Sequence, residues 1–172
     1  MDNNFEEIKR KIQTLCLLRK GNQILLGMKK RGFGEGRWNG FGGKVQEGET
    51  IEQAAEREVQ EECGLTVRDL KIVGQLDFEF HNNPGEIIEV HIYRCDDFEG
   101  ELQESEEMLP KWFNISSIPY DKMWTGGIHW LPLFLQKKCF TGCFVFGEND
   151  VILRKKIFEV KSLNSVGSLD DL

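Results

Sequence analysis

The chain has 172 residues, 40% of them hydrophobic, and a formal charge of −7. That length suits one globular domain with a real core, and the charge speaks against duplex nucleic acid, since the molecule as a whole repels phosphate backbones. Five scattered cysteines with no CxxC pair give no thiolate metal spacing, Met1 to Gln13 lacks the apolar run of a secretory signal, and no later stretch is apolar enough to cross a bilayer.

A reducing cytosolic or nuclear setting and a single domain spanning residues 12–160 are therefore expected, with residues 1–11 and 161–172 as flexible polar extensions. Thr14-Leu15-Cys16-Leu17-Leu18, the turn Lys20-Gly21-Asn22 and Gln23-Ile24-Leu25-Leu26-Gly27 predict a β-hairpin. From Arg31 to Gly48 there are seven glycines in eighteen residues, the mark of a loop with unusual backbone demands. Thr50 and Gln53 form a capping-box pattern ahead of a helix with Ile51, Ala54, Ala55, Val59 and Cys63 on one face, ending at Gly64. Val67 to Phe80 and Ile87 to Cys95 predict strands, the acidic loop Glu99 to Glu107 follows, and a second helix is predicted to start near Gly127. Strands mixed with two separated helices predict a compact α/β sandwich.

The strongest signal is a set of spacings: Gly43, five residues, Glu49, seven residues, then Arg57-Glu58-Val59-Gln60-Glu61-Glu62-Cys63-Gly64-Leu65. On a helix Glu58, Glu61 and Glu62 occupy neighbouring surface positions and repel one another. A solvated acidic face is one reading; the other is a hard divalent cation held by oxygen ligands, as Mg²⁺ is held by a few carboxylates and the phosphates of its substrate. Arg57 is placed to pair with Glu49 and hold loop to helix by a charge-assisted bond.

Residues Gly43 to Leu65 resemble the Nudix box, Gx5Ex7REUxEExGU with U a bulky apolar residue, and meet every defined position. Gly27 to Gly34, Arg37 to Gly48, Gly64 to Val67 and Leu135 to Lys138 are similar to the animal oxidised-purine nucleoside triphosphatases of that family. The resemblance implies an α/β/α sandwich with a mixed β-sheet and two main helices. It also implies hydrolysis of 8-oxo-dGTP or 2-hydroxy-dATP to monophosphate and pyrophosphate, with Mg²⁺, or Mn²⁺, as cofactor. Carried over by position, Glu58 and Glu62 are implied metal ligands, Glu61 a ligand or general base, and Gly42 a ligand through its carbonyl. Glu107 is implied as a distant metal carboxylate, and Arg57 belongs to the catalytic segment.

Asn39 is the expected base-reading side chain, since its amide both donates and accepts. Thr14, Lys29, Phe33, Phe78, Phe80, Trp124 and Trp130 complete the implied substrate site. Phe78 and Phe80 read equally well as core, and Glu107 as a solvated charge. A monomer in the cytoplasm, with nucleus and mitochondrion as further compartments, is the implied setting.

One departure stands out. Where the family carries two adjacent aspartates that contact the oxidised purine, this chain has Gly126-Gly127. Losing a buried hydrogen-bond partner costs ~1 to 3 kcal/mol, so a different or broader purine selectivity is an alternative. Other readings are a non-catalytic nucleotide sensor, against which the intact carboxylates argue, and a Nudix hydrolase of methylated purine nucleotides, nucleotide sugars or RNA caps.

Overall fold

The computed structural model describes residues 7–163. Strand β1 (Lys9–Lys20) turns at Gly21, with φ 56°, into β2 (Gln23–Lys29), and Leu18 lies opposite Leu25. The expected hairpin is present, but β1 starts at Lys9, so Lys9, Arg10 and Lys11, assigned above to the N-terminal extension, are strand. The reason is pairing: Lys9 lies opposite Glu86 in parallel register, and Arg10 bridges Asp77 and Glu89. Of the C-terminal extension, residues 164–172 lie outside the described residues, as do residues 1–6 of the N-terminal one.

Helix α1 (Ile51–Cys63) begins and ends as its sequence dictates. The Thr50 hydroxyl accepts from the Gln53 N–H, the Gln53 side chain accepts from the Thr50 N–H, and Gly64 at φ 80° donates to the Gln60 carbonyl. The single strand predicted over Val67 to Phe80 is two, β4 (Thr66–Arg68) and β5 (Lys71–Phe80), because Asp69 adopts φ 53° and turns the chain. Strand β6 (Glu86–Cys95) follows, and then come strands the sequence reading left unassigned: β7 (Asp97–Glu99), β8 (Met108–Asn114), β9 (Cys139–Phe146) and β10 (Ile152–Val160). A two-residue strand, β3 (Trp38–Asn39), pairs with β2, and the second helix, α2, spans Gly127–Leu135.

The main sheet runs β10-β9-β5-β6-β1-β2-β3, with β8 also on β2, while β4 and β7 form a small sheet of their own. Pairs β1–β6 and β5–β9 are parallel and the remaining neighbours antiparallel, so the sheet is mixed. Alternation along the strands sorts the core into two layers. Leu17, Leu26 and Ile92 face Trp130, Leu131 and Phe134 of α2, whereas Cys16, Leu18 and Leu25 face Ile51, Ala55 and Val59 of α1. The result is the α/β/α sandwich. Among the described residues no helix is long and apolar enough to cross a membrane.

Candidate active site

The glycine loop is threaded between β1 and α1. Phe41, fully buried, exchanges two backbone hydrogen bonds with Cys16, and the Thr14 N–H donates to the Gly43 carbonyl at 2.9 Å. A Cβ on Gly42 would lie 1.7 Å from the Thr14 carbonyl oxygen, and one on Gly43 would lie 2.6 Å from Glu58 Oε1. Only glycine lets the backbone pass this close to both neighbours, which brings the loop against the acidic face of α1.

Arg57 is the clamp. Its Nε and Nη2 donate to the two Glu49 oxygens at 3.0 and 2.7 Å, Nη1 donates to Glu58 at 2.9 Å and to Glu61 at 3.3 Å, and Nη2 also reaches the Lys44 carbonyl. These bonds raise the Arg57 guanidinium further above its ordinary range, and the same pairing holds the Glu49 carboxyl below its own. Glu62 differs from its neighbours. It is 5% exposed, accepts one N–H from Gly42 at 2.8 Å, and is pushed up to about 8 chiefly by burial, with Glu58 and Glu107 adding repulsion and Lys29 opposing it.

A buried carboxylate short of positive charge, beside two others, fits a divalent cation with oxygen ligands. The Gly42 carbonyl strengthens the fit, since no donor among the described residues reaches it. Glu58, Glu61, Glu62 and that carbonyl could hold the ion. The described residues contain no ready-made cluster of three such side chains, and Arg57 engages Glu58 and Glu61. Glu107 is likewise engaged, by Arg31 at 2.8 Å and Lys29 at 3.3 Å.

Next to Glu62 opens a cavity of about 200 Å³. Thr14, Lys29, Asn39, Gly42 and Glu62 line it, together with the aromatic side chains of Phe33, Phe78, Phe80, Trp124 and Trp130. Phe33, 73% exposed, stands at the mouth against Trp124 (5.0 Å between ring centres) and edge-on to Phe80 (6.0 Å). The Asn39 oxygen accepts from the Gly40 N–H at 2.9 Å.

A NUDIX domain model matches residues 9–134. The chain belongs to the Nudix family. A Danio rerio protein named oxidized purine nucleoside triphosphate hydrolase is 56% identical to it over 153 residues, 89% of this chain and 97% of that protein. A Mus musculus protein of the same name is 52% identical over 152 residues, covering 88% and 97%. The MutT protein of Bacillus halodurans shares the Nudix fold, with a TM-score of 0.77 at 24% identity over 86% of this chain and 97% of its own. Nudix hydrolases need a divalent metal ion.

The cavity thus gathers all eight residues expected to touch substrate, together with Gly42 and Glu62. Glu58 and Glu61, on the same helix, are not among its lining residues, and Glu58 lies instead beside Gly43. Phe78 and Phe80 serve twice, since they line the cavity and also pack on Phe146 at 5.6 and 5.5 Å. Sequence reasoning missed Arg37, Met123 and Phe146 as lining residues. Phe140, Phe144 and Phe146 recur at alternate positions, a strand signal that would have pointed to the last of these.

Proposed function

We propose that the chain hydrolyses purine nucleoside triphosphates, oxidised ones such as 8-oxo-dGTP and 2-hydroxy-dATP among them, to nucleoside monophosphate and pyrophosphate. One observation carries the reading: Trp124, Asn39 and Glu62 line a single cavity, so a base among the aromatic walls directs its phosphates toward the carboxylates of α1. The names of the zebrafish and mouse relatives support the same substrate class.

Phe33, Trp124, Phe78 and Phe80 offer faces to a flat base, and aromatic stacking contributes ~1 to 3 kcal/mol per base in comparable sites. Asn39, its oxygen tied to Gly40, presents its amide nitrogen to the base edge. Lys29 opposes negative charge at the phosphate end. Glu58, Glu62 and the Gly42 carbonyl would hold Mg²⁺, or Mn²⁺, with Glu61 as a further ligand or the general base, and Glu107 would join them once its ion pairs with Arg31 and Lys29 open. Such an ion would supply Lewis acidity there, lowering the pKa of a water and offsetting charge on the phosphates. Arg57 keeps Glu58 oriented by a hydrogen bond of 2.9 Å. Glu61, whose side chain is 58% exposed and held only at 3.3 Å, is the carboxylate freest to accept the proton of the attacking water.

Gly126 and Gly127 favour a second reading within the same chemistry. Both line the cavity without a side chain, so purine selectivity differs from that of relatives with carboxyls there. We place this monomeric enzyme in the compartments that hold deoxynucleotide pools: cytoplasm, nucleus or mitochondrion. A panel of normal and oxidised nucleoside triphosphates with Mg²⁺ is the test. Monophosphate plus pyrophosphate from at least one purine triphosphate is expected, and no turnover of any would overturn the proposal.

A further inference from the structure

We propose that Asp150, which lies outside the cavity, positions the wall on which a purine stacks: from the turn between β9 and β10 it holds the Arg37 guanidinium on one face of Trp124. This role rests on the reading that a purine nucleotide occupies the cavity.

Trp124 needs such a support. Its ring is half-buried and belongs to neither apolar core cluster, so core packing does not fix it. Two side chains lie on it instead. Phe33, 5.0 Å away between ring centres, is 73% exposed and sits between Gly32 at φ 78° and Gly34 at φ 86°, which makes it a poor anchor. Arg37 has its guanidinium carbon 4.4 Å from the centre of the indole ring. A cation so placed is attracted to the ring face, and the planar fork of arginine can stack while a carboxylate holds it in plane.

Asp150 supplies that hold. Its carboxylate pairs with Arg37 Nη2, and the two side chains are only 31% and 20% exposed, for Arg37 and Asp150 in turn. Water therefore screens this pair less than it screens an ion pair in open solvent. The Asp150 backbone carbonyl also accepts from the hydroxyl of Thr125, the residue next to Trp124, at 2.6 Å. One residue thus grips the Trp124 segment through its backbone and the stacked guanidinium through its side chain.

The turn that carries Asp150 is strained. Asn149 and Asp150 adopt φ 53° and 56°, the one place among the described residues where two successive non-glycine residues enter the left-handed region. Chain reversal alone does not require this, since β1 and β2 are joined with Gly21 alone in that region. Such backbone costs free energy and persists where the surrounding contacts over-determine it. Here those contacts are Arg37 and Thr125. Neither Asp150 nor Thr125 lines the cavity, so Asp150 acts on a ligand through Arg37 and Trp124.

The test uses the full chain as wild type, Asp150→Asn, Trp124→Ala and the double variant. Asn tolerates the left-handed region as Asp does and keeps the carbonyl for Thr125, so Asp150→Asn removes the ion pair alone. With dGTP, dATP and 8-oxo-dGTP as substrates and Mg²⁺ present, KM is expected to rise about three- to tenfold. The turnover number and the thermal midpoint should stay nearly unchanged. In the Trp124→Ala background the same substitution should add nothing. An equal rise there, or no rise in the wild-type background, would overturn the proposal. Indole N–H resonances report on the wall directly. Of the four tryptophans, Asp150→Asn should shift the resonance that Trp124→Ala removes and leave the other three in place, whereas an unmoved Trp124 resonance would overturn the proposal. Should Asp150→Asn fail to fold, Arg37→Met, which removes the other partner of the pair, is read against Trp124→Ala in the same way. If wild type hydrolyses no purine triphosphate, the proposed activity fails, yet a shifted Trp124 resonance together with weaker dGMP binding in Asp150→Asn still upholds the positioning role.

Discussion

Gly42 donates its backbone N–H to Glu62 Oε1 at 2.8 Å, tying the glycine loop to the one carboxylate of the acidic triad that is buried. Burial raises Glu62 from its ordinary 4.5 to about 8, so the folded protein retains a proton that the unfolded chain releases. Stability of the metal-free protein is therefore fullest below pH 4.5 as far as this group is concerned, and falls as pH rises toward 8. The limiting slope is about 1.4 kcal/mol per pH unit. Urea titrations in chelator should show the decline, Glu62→Gln should flatten it, and Mg²⁺ with nucleotide should oppose it by binding the folded state alone.

Arg57 holds Glu49, Glu58 and the Lys44 carbonyl at once. Arg57→Ala leaves partly buried carboxylates unpaired and is expected to lower stability by ~2 to 4 kcal/mol. Denaturant midpoints at constant slope are the measure. Glu49→Gln, which keeps one acceptor for the guanidinium, should cost clearly less.

A methyl group at Gly43 would lie 2.6 Å from Glu58 Oε1, the far end of a flexible side chain. Gly43→Ala should therefore fold while swinging the Glu58 carboxylate away from the loop. We expect kcat to fall by about tenfold or more, with a much smaller change in thermal midpoint. Gly42→Ala meets the Thr14 backbone at 1.7 Å instead and should not yield a stable protein.

Trp124 walls the cavity and carries Phe33 on it at 5.0 Å. Trp124→Ala should raise KM by roughly 5- to 100-fold, the equivalent of ~1 to 3 kcal/mol of stacking. Its effect on kcat should be small, because the residue lies away from the carboxylates of α1. Isothermal titration with nucleoside monophosphate gives the same quantity without turnover.

Helix α1 was legible because its determinants are local: Thr50, Gln53 and Gly64 act within one turn, and Ile51, Ala55 and Val59 recur at helical spacing. The acidic triad was legible for the same reason. Strands β8 to β10 were not, since what makes Met108–Asn114 and Cys139–Phe146 strands is pairing with β2 and β5, remote in sequence. Gly142 also interrupts the alternation of phenylalanines in β9, yet it must be glycine there, because a Cβ would lie 2.1 Å from the Lys156 carbonyl oxygen on β10. At the site, spacing pointed to Glu58 and Glu62 but gave no sign that Glu62 is buried and Glu61 exposed. Arg37 was invisible for a different reason: its partners Trp124 and Asp150 come from segments joined only by the fold.

In the proposed reaction the carboxylates of α1 drive water onto a polyphosphate. Product analysis by ion-exchange chromatography, with 8-oxo-dGTP and Mg²⁺, tests it most directly in wild type and Glu62→Gln. Wild type should give equimolar monophosphate and pyrophosphate, and Glu62→Gln at least about a hundredfold lower kcat with the fold intact. Release of orthophosphate with diphosphate, or a Glu62→Gln protein as fast as wild type, would contradict it.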